Sequence, residues 1–248
     1  VALAAKLGWD CEIYTDVEGI YTADPRLCPR AKKLAHIRCD EMMEMSSLGA
    51  GVLETRSVEL AKKYGVRLFL GKALEADHTK GTYIMDTMTF EEMPVTGLSI
   101  KDDCSLIQAR GRGAGGALTC ELFALLAQLD INVDMISQQM ESAEVCTLSF
   151  SCCAADADLL LRENAKHPLS YALSAQHHLT KLSLIGAGMI THCGIAGKAF
   201  AVLQRAGVPY YQITTSEISI SLTIHDTDKE TAISALCAAF DLCNEEEN

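Results

Sequence analysis

The sequence lacks an excess of basic side chains and lacks long apolar runs. Its 248 residues carry 33 acidic and 21 basic side chains, which gives a formal charge of -12. Proteins that bind nucleic acid need surplus Lys and Arg to replace phosphate counterions, so the composition excludes nucleic acid as an expected partner. No stretch approaches the roughly 20 apolar residues of a membrane-spanning helix, so no membrane partner is expected. The sequence predicts a soluble, cytoplasmic protein.

Metal-ligand spacing is also missing. The 11 cysteines are scattered along the chain, and no two of them form a C-x-x-C pair. Because such pairs mark structural zinc sites, the spacing predicts no metal site. Scattered cysteines are more typical of small buried thiols in a reducing compartment than of a disulfide framework.

The first 85 residues alternate between strand and helix patterns. The segments 11–15 and 66–70 have strand patterns, and 40–53 and 57–64 are apolar at helical spacing. Helices between hydrophobic strands indicate an α/β layer with a parallel or mixed sheet. Two or three strands are too few to complete such a sheet. We therefore expect 1–85 to be part of a larger domain, followed by a polar linker at 86–94.

The rest of the chain contains an internal repeat. Its period of 77 residues places Leu118 on Ile195 and Phe123 on Phe200. Each copy passes from an apolar strand through Gly-rich residues into a helix with one apolar stripe, and two strands and a second helix follow. This is the βαββαβ order of a ferredoxin-like unit, so the predicted fold class is α/β plus α+β, with units at 95–170 and 171–248.

Two adjacent units of this kind create a pocket between the glycines before a helix and a neighbouring strand edge. Backbone N–H groups at the start of the helix can hold the carboxylate of a small ligand there. The pattern alone leaves two functions open, a small-molecule sensor and a purely structural pairing of the units.

The loop after the first strand combines carboxylates, a glycine, hydroxyl groups and an arginine. Its sequence, residues 14–26, is YTDVEGIYTADPR. Ligands of open α/β sheets bind at the carboxyl ends of strands, where this loop would lie. Arg26 could contact phosphate oxygens as a planar fork, and Tyr21 could pack on a nucleotide. The alternative interpretation is a surface turn.

This loop resembles the nucleotide-binding signature of the aspartokinases, within the amino acid kinase family. The segments 31–34, 40–50 and 56–64 agree with that family in the same order, and the repeat is similar to its paired ACT domains. The ACT marks are INVDMI with Gln138, GAGM at 186–189 and TSEISIS at 215–221. The resemblance covers essentially the whole chain. It implies the carboxyl-terminal fragment of an amino acid kinase α/β sandwich followed by two ferredoxin-like ACT domains, with strand 95–100 pairing with the second.

The resemblance implies transfer of the γ-phosphoryl group of ATP, with Mg²⁺, to the side-chain carboxylate of L-aspartate. The product, 4-phospho-L-aspartate, leads to lysine, threonine and methionine. The matching ATP-binding residues are Thr15, Asp16, Tyr21 and Arg26. Gly51 stands where the family usually has Lys, which removes one cation from that site. The family's catalytic residues would lie upstream of Val1, so the chain alone is expected to be catalytically incomplete.

The resemblance also implies feedback regulation by L-lysine, L-threonine or both, bound by the ACT pair of a homodimer. The matching effector-binding residues are Asn132, Val133, Asp134, Gln138 and Ser149 in the first unit, and Ser216 and Glu217 in the second. Asp134 is expected to bind the ligand ammonium, and Asn132 and Gln138 to donate or accept amide hydrogen bonds. The alternatives are a free-standing regulatory subunit without kinase activity and a structural dimerisation module.

Overall fold

The computed structural model describes residues 1–74, 77, 80–86, 93–112, 115–142, 145–166 and 171–244. Most of the predicted linker lies outside these residues. No helix among them is both long and apolar enough to cross a membrane.

The helices are α1 (Ala2–Leu7), α2 (Cys39–Ser47), α3 (Thr55–Tyr64), α4 (Gly115–Gln128), α5 (Ala154–Lys166), α6 (Ile195–Arg205) and α7 (Lys229–Ala239). The strands are β1 (Cys11–Thr15), β2 (His36–Ile37), β3 (Leu68–Lys72), β4 (Thr82–Ile84), β5 (Gly97–Arg112), β6 (Asp134–Met140), β7 (Val145–Cys153), β8 (Ala172–Ile185), β9 (Tyr210–Thr215) and β10 (Ser219–His225).

The amino-terminal segment forms a mixed four-stranded sheet in the order β1-β3-β4-β2. Strands β1 and β3 are parallel, whereas β3 and β4 are antiparallel. The sheet packs its apolar face on α2 and α3, where Met42, Val58 and Leu68 are fully buried. This arrangement confirms the predicted α/β layer.

Helix α2 is shorter than predicted. The apolar spacing predicts a helix to residue 53, but α2 ends at Ser47. Gly49 has a φ of 127°, and a Cβ there would lie 2.6 Å from the Ile100 carbonyl oxygen. The chain therefore leaves the helix to pass close to β5, which a sequence pattern does not show. Helix α3 ends as predicted, with Gly65 in the left-handed conformation.

The repeat forms one six-stranded sheet in the order β6-β7-β5-β8-β10-β9. Residues 104–112 of β5 pair with β7, whereas 97–101 of β5 pair with 181–185 of β8. We call the half with β6, β7, α4 and α5 the first unit, and the half with β9, β10, α6 and α7 the second unit. The predicted strands 105–109 and 181–185 are thus parts of two long strands that both units share. The exact domain bounds stay a prediction.

Each unit has its own core. Helices α4 and α5 cover the first unit, with Phe150 and Leu160 fully buried, and α6 and α7 cover the second. The sheet curls so that its two edge strands approach each other. The buried Gln212 of β9 donates a hydrogen bond from Nε2 to the Met135 carbonyl of β6. Ala23, Cys28 and Ala31 of the amino-terminal segment join the second core.

Candidate nucleotide and effector sites

The loop after β1 is held in place by a buried threonine. Thr82 donates from its hydroxyl to the Leu34 carbonyl at 2.6 Å and accepts the Ile20 N–H at 2.8 Å. A Cβ on Gly19 would lie 2.6 Å from the same hydroxyl oxygen, so glycine is required for the approach. At the start of the loop, the Thr15 hydroxyl accepts the Val17 N–H at 3.1 Å. These contacts fix the loop at the carboxyl end of β1.

All four predicted ATP-binding residues line one cavity of about 570 Å³. They are Thr15, Asp16, Tyr21 and Arg26. The opposite walls come from the loop 49–52 after α2 and from 98–100 of β5. The sequence placed only Gly51 of these residues near the ATP site, as the position where the family usually has Lys. Apolar walls with a few polar groups at this volume suit a nucleoside-sized ligand.

Two of the three charged side chains that line this nucleotide cavity, Asp24 and Arg26, pair with each other. The Arg26 guanidinium forms a bidentate ion pair with the Asp24 carboxylate, with Nη2 2.7 Å from Oδ2 and Nε 3.0 Å from Oδ1. This hydrogen bonding lowers the pKa of Asp24. Burial and the nearby Glu18 raise the pKa of Tyr21, so its phenol is neutral at pH 7. Among the described lining residues, Arg26 is the sole Lys or Arg.

A second cavity of about 410 Å³ contains three of the predicted effector-binding residues, Asn132, Val133 and Asp134. Its wall also carries Lys181 of β8, which is 2% exposed and forms an ion pair with Asp134. Sequence reasoning missed Lys181, although a lysine inside an apolar central strand is a signal for a buried partner.

The ion pair sets the electrostatics of this effector cavity. Burial acts to raise the pKa of Asp134, but the hydrogen bond and charge of Lys181 outweigh it and lower that pKa. Asp134 Oδ1 also accepts the Met135 N–H at 2.8 Å. The carboxylate expected to bind a ligand ammonium thus already binds an ammonium of the chain.

The other predicted effector residues lie elsewhere. Gln138 is further along β6 and accepts a hydrogen bond from Thr119 of α4 at 3.0 Å, and Ser149 pairs with Ser137 across β6 and β7. Neither lines the effector cavity. Ser216 and Glu217 are exposed in the loop after β9, where the Ser216 hydroxyl is 3.5 Å from Glu44 of α2. The predicted set is therefore divided among three places, and its roles stay predictions.

The two cavities share their dividing wall. Met42 and Met45 of α2 line the nucleotide cavity, and Ser47 and Leu48 at the end of that helix line the effector cavity. Strand β5 contributes 98–100 to the first and Lys101, Asp103 and Cys104 to the second. A displacement of α2 or β5 would alter both cavities.

Helix α2 is fixed to the second unit by two carboxylates. The buried Glu41 accepts hydrogen bonds from the Thr96 hydroxyl at 2.5 Å and from the Ala187 N–H at 2.9 Å. One turn later, Glu44 accepts the Ser219 hydroxyl at 2.6 Å. The position of α2 therefore depends on the glycine-containing segment 186–189 before α6 and on strand β10 of the second unit.

This fold and its cavities define a kinase-type α/β layer joined to a pair of ACT-type units. Residues 1–72 match the model of the amino acid kinase family, and residues 182–240 match that of the ACT domain. The aspartokinase of Bacillus sp. strain MGA3 is 39% identical over 247 residues, which are 98% of this chain and 60% of that protein. The chain is thus similar to aspartokinases over nearly its whole length. It spans about 60% of the length of the curated relatives it matches.

Solved structures agree on the fold. E. coli aspartokinase III, crystallised with aspartate and ADP, aligns with 96% of this chain and 54% of its own at a TM-score of 0.79 and 23% identity. The regulatory subunit of Thermus thermophilus aspartate kinase aligns over 59% of this chain and 99% of its own, at a TM-score of 0.54 and 26% identity. The fold class predicted from the sequence is confirmed.

Proposed function

We propose that this chain supplies one part of the ATP site and the effector-binding part of an aspartate kinase. The reaction is transfer of the γ-phosphoryl group of ATP to the side-chain carboxylate of L-aspartate, giving 4-phospho-L-aspartate for lysine, threonine and methionine biosynthesis. One observation carries this proposal. The four positions that the family resemblance assigns to ATP line a single cavity. A cytoplasmic location is part of the same proposal.

The residues of the nucleotide cavity fit a nucleoside better than they fit a triphosphate. Met42, Met45 and Val52 offer apolar contact for a base, and Thr15 and Asp16 offer polar groups at the end of β1. Arg26 could bind a phosphate only by exchanging its Asp24 partner. Mg²⁺, when bound with ATP, neutralises phosphate charge. Since one paired arginine is too little cationic charge for phosphoryl transfer, we propose that the chain alone is catalytically incomplete.

The effector we propose is L-lysine, L-threonine or both, bound in the effector cavity. Asp134 would accept the ligand ammonium in competition with Lys181, and the released Lys181 and the nearby Lys101 could bind the ligand carboxylate. In this exchange the ligand supplies a counter-charge to both Asp134 and Lys181. It therefore avoids leaving an uncompensated buried charge.

We further propose a homodimer formed through the ACT pair. Both edge strands of the six-stranded sheet expose large apolar side chains. They are Ile136 and Met140 on β6, and Tyr210, Tyr211 and Ile213 on β9. Exposed apolar side chains grouped on adjoining strands favour association with another chain.

The alternative is a free-standing regulatory subunit whose kinase-type segment is only a scaffold. The likeness to the T. thermophilus regulatory subunit supports this alternative. Calorimetric titration of the purified chain with Mg²⁺-ATP, L-lysine and L-threonine separates the two. Binding of nucleotide and of an amino acid supports the proposal, whereas binding of an amino acid alone supports the alternative. Binding of neither kind of ligand would contradict both.

A further inference from the structure

Three cysteines meet where the nucleotide loop contacts the carboxyl-terminal segment. Cys28 follows the Asp24–Arg26 turn, Cys237 belongs to α7, and Cys243 lies just beyond that helix. Their Sγ atoms all lie within 4.8 Å of one another, and those of Cys28 and Cys243 are 3.1 Å apart. Cys28 and Cys237 are buried, and Cys243 is half-buried.

The backbone around this cysteine cluster is held by direct hydrogen bonds between the two segments. The Lys32 N–H donates to the Leu242 carbonyl at 3.1 Å, and the Asn244 N–H donates to the Arg30 carbonyl at 2.8 Å. The Thr22 hydroxyl donates to the same Leu242 carbonyl at 2.5 Å. The thiols are thus brought together by a short antiparallel pairing and not by side-chain packing alone.

The spacing of the sulfur atoms matches a metal site. Metal–thiolate bonds of about 2.3 Å in a tetrahedral or trigonal arrangement place ligand sulfurs about 3.8 to 4 Å apart. The distances in the cluster range from 3.1 Å to below 4.8 Å, so shifts of a few tenths of an ångström at each thiol would give three equal bonds. An all-sulfur donor set selects soft ions over Mg²⁺ or Ca²⁺.

We propose that Cys28, Cys237 and Cys243 form a three-thiolate site for one soft, thiophilic metal ion of the Zn²⁺ class. A fourth position would be left for water or another exogenous ligand. Cys243 provides the entry path because it is half-buried. The positive charge of Arg30 acts on Cys243 and would offset part of the negative charge of three thiolates.

Burial raises the pKa of both Cys237 and Cys243, so these thiols carry protons before the ion binds. Metal binding would release those protons to the solvent, as is usual for thiolate sites. The sequence predicted no metal site because Cys28 and Cys243 are 215 residues apart, and only the fold brings them together.

The bound ion would link the nucleotide loop to the end of the second unit. The loop between Tyr21 and Ala31 carries Asp24 and Arg26 of the nucleotide cavity, and Ala31 forms an isolated β-bridge with Cys243. An ion that binds only the folded chain stabilises it by mass action. We therefore expect metal loading to raise the melting temperature.

Titration with Cd²⁺ tests this site, since Cd²⁺ binds thiolates and gives an ultraviolet charge-transfer band. The starting protein carries Cys120→Ser and Cys193→Ser, which remove the two exposed cysteines. The expected result is one Cd²⁺ bound per chain, with a raised melting temperature. Zn²⁺ should bind the same thiolates without giving the band, and Cd²⁺, the softer ion, should displace it and restore the band.

Adding Cys28→Ser or Cys243→Ser to that protein should reduce Cd²⁺ affinity at least 10-fold. The matched control is Cys146→Ser, a buried cysteine in the core of the first unit, which should leave the affinity unchanged. Circular dichroism verifies that each variant is folded. The proposal is overturned if no stoichiometric band forms, if the band survives both substitutions, or if mass spectrometry of unreduced protein finds a Cys28–Cys243 disulfide in place of metal binding.

Discussion

At the residue scale, the Asp134–Lys181 ion pair joins an expected site residue to an unexpected one. The sequence identified Asp134 from the INVD motif, because a carboxylate there resembles a known effector contact. It did not identify Lys181, since a sequence pattern cannot show which distant side chain lies opposite a carboxylate. Lys181 is buried, whereas 44% of the Asp134 side chain is exposed. Because of this difference in exposure, we expect the loss of one partner to lower the free energy of unfolding more than the loss of the other.

Removing the two partners should have unequal costs. Asp134→Asn leaves a buried ammonium without a counter-charge and should lower the free energy of unfolding by about 3 kcal/mol. Lys181→Met leaves a carboxylate that water can reach, so its cost should be about 1 kcal/mol or less. Urea denaturation measures both values. Equal costs, or a larger cost for Lys181→Met, would show that Lys181 does not depend on Asp134.

The same ion pair predicts a dependence of stability on pH. The folded-state pKa of Asp134 is lowered, so the stabilisation from its charge is present above the unfolded pKa of about 3.9 and is lost as pH falls through the folded value. The difference in free energy of unfolding between the native protein and Lys181→Met should therefore shrink as the pH falls below about 5. A difference that stayed constant on acidification would contradict this assignment.

Arg26 is expected to contribute to the affinity of the nucleotide cavity for Mg²⁺-ATP. Arg26→Ala should weaken binding of Mg²⁺-ATP by about 10-fold, because a charge-assisted hydrogen bond contributes about 1.5 to 3 kcal/mol. Arg67→Ala is the matched control, since Arg67 is also exposed and pairs with an aspartate, Asp10, outside the cavity. Calorimetry compares the two variants. Equal affinities would remove Arg26 from the site.

At the element scale, local periodicity predicted the amino-terminal helices and strands better than it predicted their ends and partners. Strand β1 and the end of α3 agree with the pattern, because a β-prone run and a left-handed glycine act locally. The end of α2 was missed because it depends on the close approach of Gly49 to Ile100 of β5. The sharing of β5 and β8 by both units was also missed, since strand pairing is a long-range property. The resemblance, not the periodicity, implied where strand 95–100 pairs.

Helix α2 should be sensitive to loss of its buried carboxylate. Glu41→Ala removes the acceptor for the Thr96 hydroxyl and the Ala187 N–H, and should lower the free energy of unfolding by about 2 to 3 kcal/mol. Glu59→Ala on α3 is the control, because Glu59 is exposed on a helix of similar length and should change stability by less than about 0.5 kcal/mol. Similar losses in both variants would mean that Glu41 does not hold α2 against the second unit.

At the scale of the whole molecule, the wall shared by the two cavities offers a route for regulation. An effector that moves the end of α2 or the middle of β5 changes the lining of the nucleotide cavity. Linkage requires the effect to be reciprocal, so nucleotide must change the affinity for the effector by the same factor. The sequence indicated both sites as separate motifs. It could not show that they share α2 and β5.

Titration calorimetry of the chain with L-lysine and L-threonine tests the central claim, that the ACT pair senses an amino acid through Asp134. The native protein should bind at least one of them, and Asp134→Asn should weaken that binding at least 10-fold. The matched control is Asp241→Asn, which breaks an Asp–Lys pair with Lys32 away from the effector cavity and should bind like the native protein. The claim is contradicted if neither amino acid binds the native chain, or if Asp134→Asn binds as tightly as Asp241→Asn.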